Sequence, residues 1–377
     1  MALKWLEGFD ASINTTHLAR TYNTMTGTIT QAAGASETGG VAITSDDALF
    51  TTKPFSSVEN TWIIGLAFRS HDDDKINNPD IPYVAMRNGD GEQIRFEFFE
   101  ELKSKPGGNL YRIRVMRGAV ELATSVEGFF IADNSPSLWV FFEFKVTIDN
   151  ATGEFSGQYQ FTQKPSISDV PIALTWDAAN TGVDTQNQAT TGADRFSLSM
   201  ITGNSVTEVA VDDIYVCDST GTKNNDFLGK ILIEEQKPLA AGATDEWVLA
   251  DAATLNEAWD ETISEADDDP RVTSQVPTDI TLATVDPLVA LIAPGTTIIG
   301  VRHDIVARME TTGDLDIAHF FRKTTGTPAE TDAGTALNVD STTYEASAAV
   351  LEDDPNTLTD WDIADLNSYQ YGVRNDG

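Results

Sequence analysis

Four sets of side chains in this sequence have the types and spacing to do chemistry. The first is "HDDDKINNPD", residues 71–80, which offers Asp72, Asp73, Asp74, Asn77, Asn78 and Asp80. Calcium takes about six to eight oxygen ligands, and an acidic loop can supply several. The stretch lacks the spacing and the glycine of an EF-hand loop. Calcium at Asp72, Asp73, Asp74 and Asp80 therefore stands beside a plainer reading, a solvated loop. "EADDDPR" at 265–271 invites the same two readings. The second set is Glu97, Glu100 and Glu101 in "FEFFEEL". Glycosidases built on β-sandwiches need two carboxylates facing each other across a sugar. Glu97 and Glu101 share a face if the strand persists that far, and a solvated polar face is the plainer reading. The third is the pair His303 and His319, each on the more apolar face of its strand. Two imidazoles can hold a transition metal, but no third ligand accompanies them, which favours packed or interface histidines. The fourth is the single cysteine, Cys217, between Val216 and Asp218. A catalytic thiol needs a histidine partner, and none is near in sequence, so a small buried apolar residue is expected. No G-x-S-x-G elbow, H-E-x-x-H helix or phosphate loop occurs. The expectation is a protein with no catalytic residues and no cofactor beyond possible calcium.

The elements that must carry these residues are strands. Alternation with period two dominates the first 220 residues. Trp62, Ile64, Leu66 and Phe68 share one face of "WIIGLAF". Ile94, Phe96 and Phe98 oppose Arg95 and Glu97, and Tyr111, Ile113 and Val115 oppose Arg112 and Arg114. Phe142, Phe144, Val146 and Ile148 oppose Glu143, Lys145 and Thr147. "DNATG", Asp149 to Gly153, then predicts a hairpin, with Asp and Asn bonding their own backbone and Gly supplying positive φ. "INTTHLARTY" reads as a short helical turn, with His17 an ordinary surface residue. Strands of this length without helical periodicity argue an antiparallel sandwich or jelly roll. After Gly229 aromatics thin out and acid increases. "TTIIGVRHDIVARME" and "DLDIAHFFR" read as two strands of one hairpin around "TTGD". "TLTDWDIADLNSYQYGVR" reads as a short helix capped by Thr359 or Asp360, running to about Asn367, and then a closing strand.

The 377 residues allow one to three domains, and 41% hydrophobic residues can fill a sizeable core. The division expected is 1–229, a linker at 230–243, and a smaller β-rich domain at 244–377. One cysteine excludes an intrachain disulfide framework. The formal net charge of −35 argues against nucleic acid and anionic membrane as partners. It suits a protein displayed at high density, one working in salt, where like charges are screened, or one that binds cations. No apolar run reaches the length of a membrane helix, and "MALKWLEGFD" has no signal-peptide core.

"VDDIYVCDSTGTKNNDFLGKILIEEQKP", Val211 to Pro238, resembles a phrase of tailed-bacteriophage virion proteins, in which an Asp-Asp pair leads a last strand and an "NDFLG" loop leaves the sandwich. "LWVFFEFKVTIDNATGEFSGQYQF" is similar to the paired central strands of a laminin-G-like, concanavalin-like jelly roll, and "WLEGFD" to its first strand. The similarity covers about residues 3–235, and the closing helix and strand resemble those of the companion β-domain. The resemblance implies an all-β fold: a jelly roll, then a second β-rich domain with one short C-terminal helix. It implies a non-enzymatic virion component, tail-associated as fibre, tip or collar, in assembly or host attachment. A capsid decoration protein and a carbohydrate-binding module without catalysis are the alternatives. Other virion proteins, further copies of the chain (a trimer by preference) and host surface glycans are the partners expected. The location is the phage particle, assembled in the host cytoplasm. In this reading Asp212 and Asp213 bond turn backbone, and Phe227 and Leu228 plug the seam between the domains.

Overall fold

The computed structural model describes residues 2–9, 22–33, 35, 41–70, 81–101, 110–130, 139–161, 170–202, 209–234, 236, 238–250, 254, 271–274, 276–285, 297–310, 313–325 and 329–377. The chain divides into two compact units, Met1–Glu234 and Glu235–Gly377. Among the described residues no helix is long and apolar enough to cross a membrane. His17 and the expected turn around it lie outside the described residues, as do Asp72, Asp73, Asp74, Asn77, Asn78, Asp80 and most of the acidic run at 265–271.

The first unit contains β1 (Leu3–Glu7), β2 (Tyr22–Thr26), β3 (Thr30–Ala33), β4 (Val41–Ser45), β5 (Leu49–Thr52), β6 (Thr61–Ser70), β7 (Tyr83–Asn88), β8 (Gly91–Glu101), β9 (Leu110–Arg117), β10 (Val120–Thr124), β11 (Phe129–Phe130), β12 (Val140–Thr147), β13 (Gly153–Phe161), β14 (Ile172–Ala173), β15 (Thr181–Val183), β16 (Arg195–Ser199) and β17 (Val209–Asp218). A nine-stranded sheet runs β14-β13-β12-β6-β17-β4-β3, with β1 also on β17 and β15 on β13. An eight-stranded sheet runs β10-β9-β8-β7-β16-β5-β2, with β11 on β9. The chain passes from one sheet to the other between β1 and β2, β2 and β3, β4 and β5, β5 and β6, β6 and β7, β11 and β12, β15 and β16, and β16 and β17. The pairings are antiparallel. This weave is a jelly-roll sandwich.

The period-two faces meet in the middle. Phe68 stacks on Phe98 with centroids 4.0 Å apart, Phe96 on Phe144 at 4.5 Å, and Phe142 meets Phe98 edge-on at 5.4 Å. Trp62, Ile64, Leu66, Ile94, Ile113 and Val115 are also fully buried. Burying one such side chain contributes about 1.5–3 kcal/mol. The hairpin between β12 and β13 closes as "DNATG" foretold, Asp149 Oδ1 accepting from the Ala151 and Thr152 N–H groups at 2.8 and 2.7 Å. Those two bonds lead the causes that hold its carboxyl below the usual range. Gly153 serves differently from expectation. Its φ is not positive, and a Cβ there would lie 2.1 Å from Thr185 Oγ1, so close approach demands the glycine.

The second unit contains β18 (Pro238–Asp245), β19 (Val248–Ala250), β20 (Arg271–Thr273), β21 (Ile280–Val285), β22 (Val301–Ala307), β23 (Leu315–Lys323), β24 (Ala329–Val339), β25 (Glu345–Leu351), helix α1 (Ile363–Leu366) and β26 (Tyr369–Asn375). A five-stranded sheet runs β18-β21-β26-β23-β24, and β19-β20 and β22-β25 form two-stranded ribbons. Three expectations change here. Part of the expected linker is β18. β22 and β23 are not a hairpin: β22 pairs with β25, and β23 lies between β24 and β26. The helix is capped by Asp362, whose Oδ1 accepts from the Ala364 N–H at 2.7 Å, rather than by Thr359 or Asp360. The closing strand forms as read and occupies the centre of its sheet.

Candidate functional site

All ten residues of β17 are buried, although three of them are aspartates. A strand inside one sheet of a sandwich is covered on its inner side by the other sheet. Burial on both sides requires a third layer. The segment that follows β17 supplies it, returning over the outer side of the nine-stranded sheet, where buried side chains of β12 and β17 bond its backbone.

The central element is a row of three paired residues: Glu143 on β12, Gly65 on β6 and Tyr215 on β17. A Cβ on Gly65 would lie 2.0 Å from the Tyr215 ring, so the tyrosine lies flat across the glycine. Its hydroxyl thereby reaches Glu143 and donates to Oε1. The same oxygen accepts the Gly229 N–H at 2.8 Å, and Glu143 Oε2 accepts from the Gln158 amide. The Leu228 N–H donates to the Tyr215 oxygen at 3.2 Å. Glu143 is 2% exposed, and three donors compensate the charge it would otherwise bury alone. Burial, with the Glu143 carboxylate behind it, pushes the Tyr215 hydroxyl well above the usual phenol range.

Other carboxylates of β17 secure the remaining chain. Asp213 sits at φ +50°, where the register between β17 and β6 shifts. Asp tolerates this left-handed conformation better than most residues. The bulge directs Asp213 Oδ1 to the Ile233 N–H at 2.8 Å, while Asp212 Oδ2 accepts from the Ala35 N–H at 2.8 Å. Asp218 is fully buried, pairs with Lys4 Nζ at 2.8 Å and caps the following turn through Thr220. Cys217 is fully buried beside it. Phe227 and Leu228 are half-buried, and the bond that fixes the Leu228 backbone lies within the first unit.

Glu97 is not on a solvated face as its spacing suggested, because two arginines and the aromatic rings beside them cover it. It is 4% exposed, with Oε1 accepting from Arg95 Nε at 2.6 Å and Oε2 from Arg114 Nε at 2.7 Å. Arg95 lies over the Tyr83 ring and Arg114 over the Phe99 ring, at 5.6 and 4.8 Å. Glu101 continues β8 opposite Leu110, and Glu100 opposite Tyr111. Among the described residues no three His, Cys, Asp or Glu side chains converge as metal ligands.

The two histidines do meet, by a route other than the expected hairpin. His303 on β22 and His319 on β23 point Nδ1 at Nδ1 across 3.0 Å, and His319 Nε2 lies 3.2 Å from Ser347 Oγ on β25. His319 is fully buried and His303 half-buried. Burial pushes His303 down to about 4 against an opposing pull from Asp304, and burial together with His303 pushes His319 down to about 3. Both are neutral near pH 7, and such weak bases suit hydrogen bonding to each other rather than general-base work.

No family model matches the chain, and no curated protein matches it. Solved structures similar to it include the metal-free lectin I-B4 from Griffonia simplicifolia, at 10% identity and TM-score 0.32, covering 56% of this chain and 91% of that one. The exoplasmic domain of VIP36 bound to calcium and a mannose glycan is similar at 12% identity and TM-score 0.34, covering 55% and 86%. Alginate lyase vAL-1 from Chlorella virus is similar at 10% identity and TM-score 0.30, covering 54% and 95%. The strand pairing itself defines the class: an all-β protein whose first unit is an antiparallel jelly-roll sandwich.

Proposed function

We propose that this chain is a non-enzymatic structural component of a bacteriophage virion, tail-associated as a fibre, tip or collar protein, with capsid decoration as the alternative position. The observation that carries the reading is the bonded exit from the jelly roll. The stretch that resembles phage virion proteins in sequence is the stretch whose backbone is bonded to buried Glu143, Tyr215 and Asp213. Such an arrangement suits a particle component, in which pull on the chain leaving a domain must not unzip its last strand. Quantitative mass spectrometry of purified particles whose genome carries this sequence tests this reading. A few to some tens of copies per particle supports the tail, hundreds support capsid decoration, and absence from the particle overturns the proposal.

A second reading, a carbohydrate-binding module, is favoured by the side of the eight-stranded sheet away from the core. Half-buried Tyr83 and Phe99 stand there beside Arg95 and Arg114, groups able to stack on and hydrogen-bond a sugar. In this reading host surface glycan is the ligand and calcium at Asp72, Asp73, Asp74 and Asp80 an accessory. Calorimetry with host surface polysaccharide, with and without calcium, tests both parts. Absence of heat in either condition removes this reading and leaves the virion proposal standing.

A further inference from the structure

We propose that the contact between His303 and His319 is an acid-operated latch between the β22–β25 ribbon and the five-stranded sheet of the second unit. The argument begins with proton counting. Two Nδ1 atoms 3.0 Å apart share one proton, so one ring donates and the other accepts. Ser347 Oγ lies 3.2 Å from His319 Nε2 and 3.4 Å from the Thr335 carbonyl. The hydroxyl has one proton to give. If Thr335 receives it, His319 Nε2–H donates to Ser347, His319 Nδ1 accepts, and His303 Nδ1–H donates. An added proton then enters at His303 Nε2, on the half-buried ring. That first proton leaves the inter-ring bond intact. A second must sit on His319 Nδ1, which sets two N–H groups head to head and two charges side by side. The contact then breaks.

The surroundings do not offset the charge. His303 packs against Phe321 of β23 at 5.3 Å and Tyr371 of β26 at 6.4 Å between centroids. The Tyr371 hydroxyl is already spent on the Leu366 carbonyl at 3.2 Å. From β25 come Ser347 and Ala349, and from β24 Gly334 and Thr335, none of them ionisable. Among the described residues the carboxylate whose charge reaches His303 is Asp304 of the same strand, and Arg302 holds it at 2.9 Å. The join is also tight, since a Cβ on Gly334 would lie 2.6 Å from the Ala349 Cβ. Packing this close has little slack, so a contact that turns repulsive strains the whole join, and a two-stranded ribbon is marginal without the layer beneath it. The pair joins the ribbon to the sheet directly: β22 and β25 contribute His303 and Ser347, and β23 contributes His319.

Hydrogen–deuterium exchange of the full chain tests this, at about pH 7 and about pH 4.5 with rates corrected for intrinsic exchange. Peptides covering Val301–Ala307 and Glu345–Leu351 should gain at least tenfold in exchange on acidification relative to the strands of the first unit, a change that already follows from about 1.4 kcal/mol, the linkage of one histidine over one pH unit. His303→Phe, which keeps the aromatic packing, and His319→Gln, which keeps a partner for Ser347, should each flatten that gain. A ribbon that responds to acid in the variants as in the wild type overturns the proposal, as does an equal response of both units. Should neither variant fold, the imidazole C–H resonances of the wild-type chain decide. Titration of both rings below about pH 5 upholds the latch, and midpoints near the ordinary value of about 6.5 overturn it.

Discussion

Each unit buries a polar cluster where one layer lies on another, and the two clusters use different chemistry. In the first unit Glu143 lies under the returning chain as an acceptor for three donors, from Tyr215, Gly229 and Gln158. In the second, His303 and His319 are neutral rings that share one proton, with a serine hydroxyl behind them. A buried anion with its donors in place is a high-stakes arrangement, because losing the anion strands every donor at once. A neutral imidazole pair loses little when one bond goes, but it fails when protons are added. The units differ in charge as well. Residues 235–377 carry 28 acidic against 7 basic side chains, and residues 1–234 carry 31 against 17. Self-repulsion per residue is therefore greater in the second unit.

Acid should separate the clusters most widely. Both histidines are held below their unfolded value of about 6.5, at about 4 and about 3, so the unfolded chain binds the extra protons. Their contribution is whole above about pH 6.5 and falls as pH drops from there toward 4, at about 1.4 kcal/mol per pH unit for each histidine. Thermal melts across this range should show the second unit losing stability, and His303→Phe should reduce the slope. A slope unchanged by the substitution would remove the histidines as its cause.

Glu143→Ala should come next, at about 3 kcal/mol, since it leaves the Tyr215 hydroxyl and the Gly229 and Gln158 N–H groups without their acceptor. Limited proteolysis should then cut the variant faster between residues 219 and 233, with no change in the second unit. Equal cutting would show that the returning chain stays down without the anion. Gly65→Ala should cost about 2 kcal/mol by forcing the Tyr215 ring off the sheet, and should raise cleavage in the same segment. Calorimetry that finds the variant as stable as the wild type would mean Tyr215 has another place to lie. Ser347→Ala should show the smallest effect, about 1 kcal/mol, because a neutral bond to His319 is lost at a half-buried position. A loss as large as that of Glu143→Ala would erase the distinction between the clusters.

Period-two alternation was enough to identify the sandwich core. Phe68, Phe96, Phe98, Phe142 and Phe144 each lie on the face that alternation assigned, because a strand's side chains must alternate whatever the strand pairs with. The "DNATG" turn and the closing strand were legible for a similar reason: their chemistry is local. Alternation says which residues share a face and nothing about what covers the other face. Glu143 reads as solvated by its spacing yet is 2% exposed, because residues more than eighty positions later lie over it. The glycine in "WIIGLAF" carries no signal of its own until Tyr215 is placed across it. Pairing between distant strands was hidden likewise. His303 and His319 looked like members of one hairpin, and they meet because β22 found β25, some forty residues on, instead of its sequence neighbour. Local sequence determined the strands, their inward faces and the tight turns. Tertiary structure decided which polar residues lost their water, since burial depends on the layer that arrives from elsewhere in the chain.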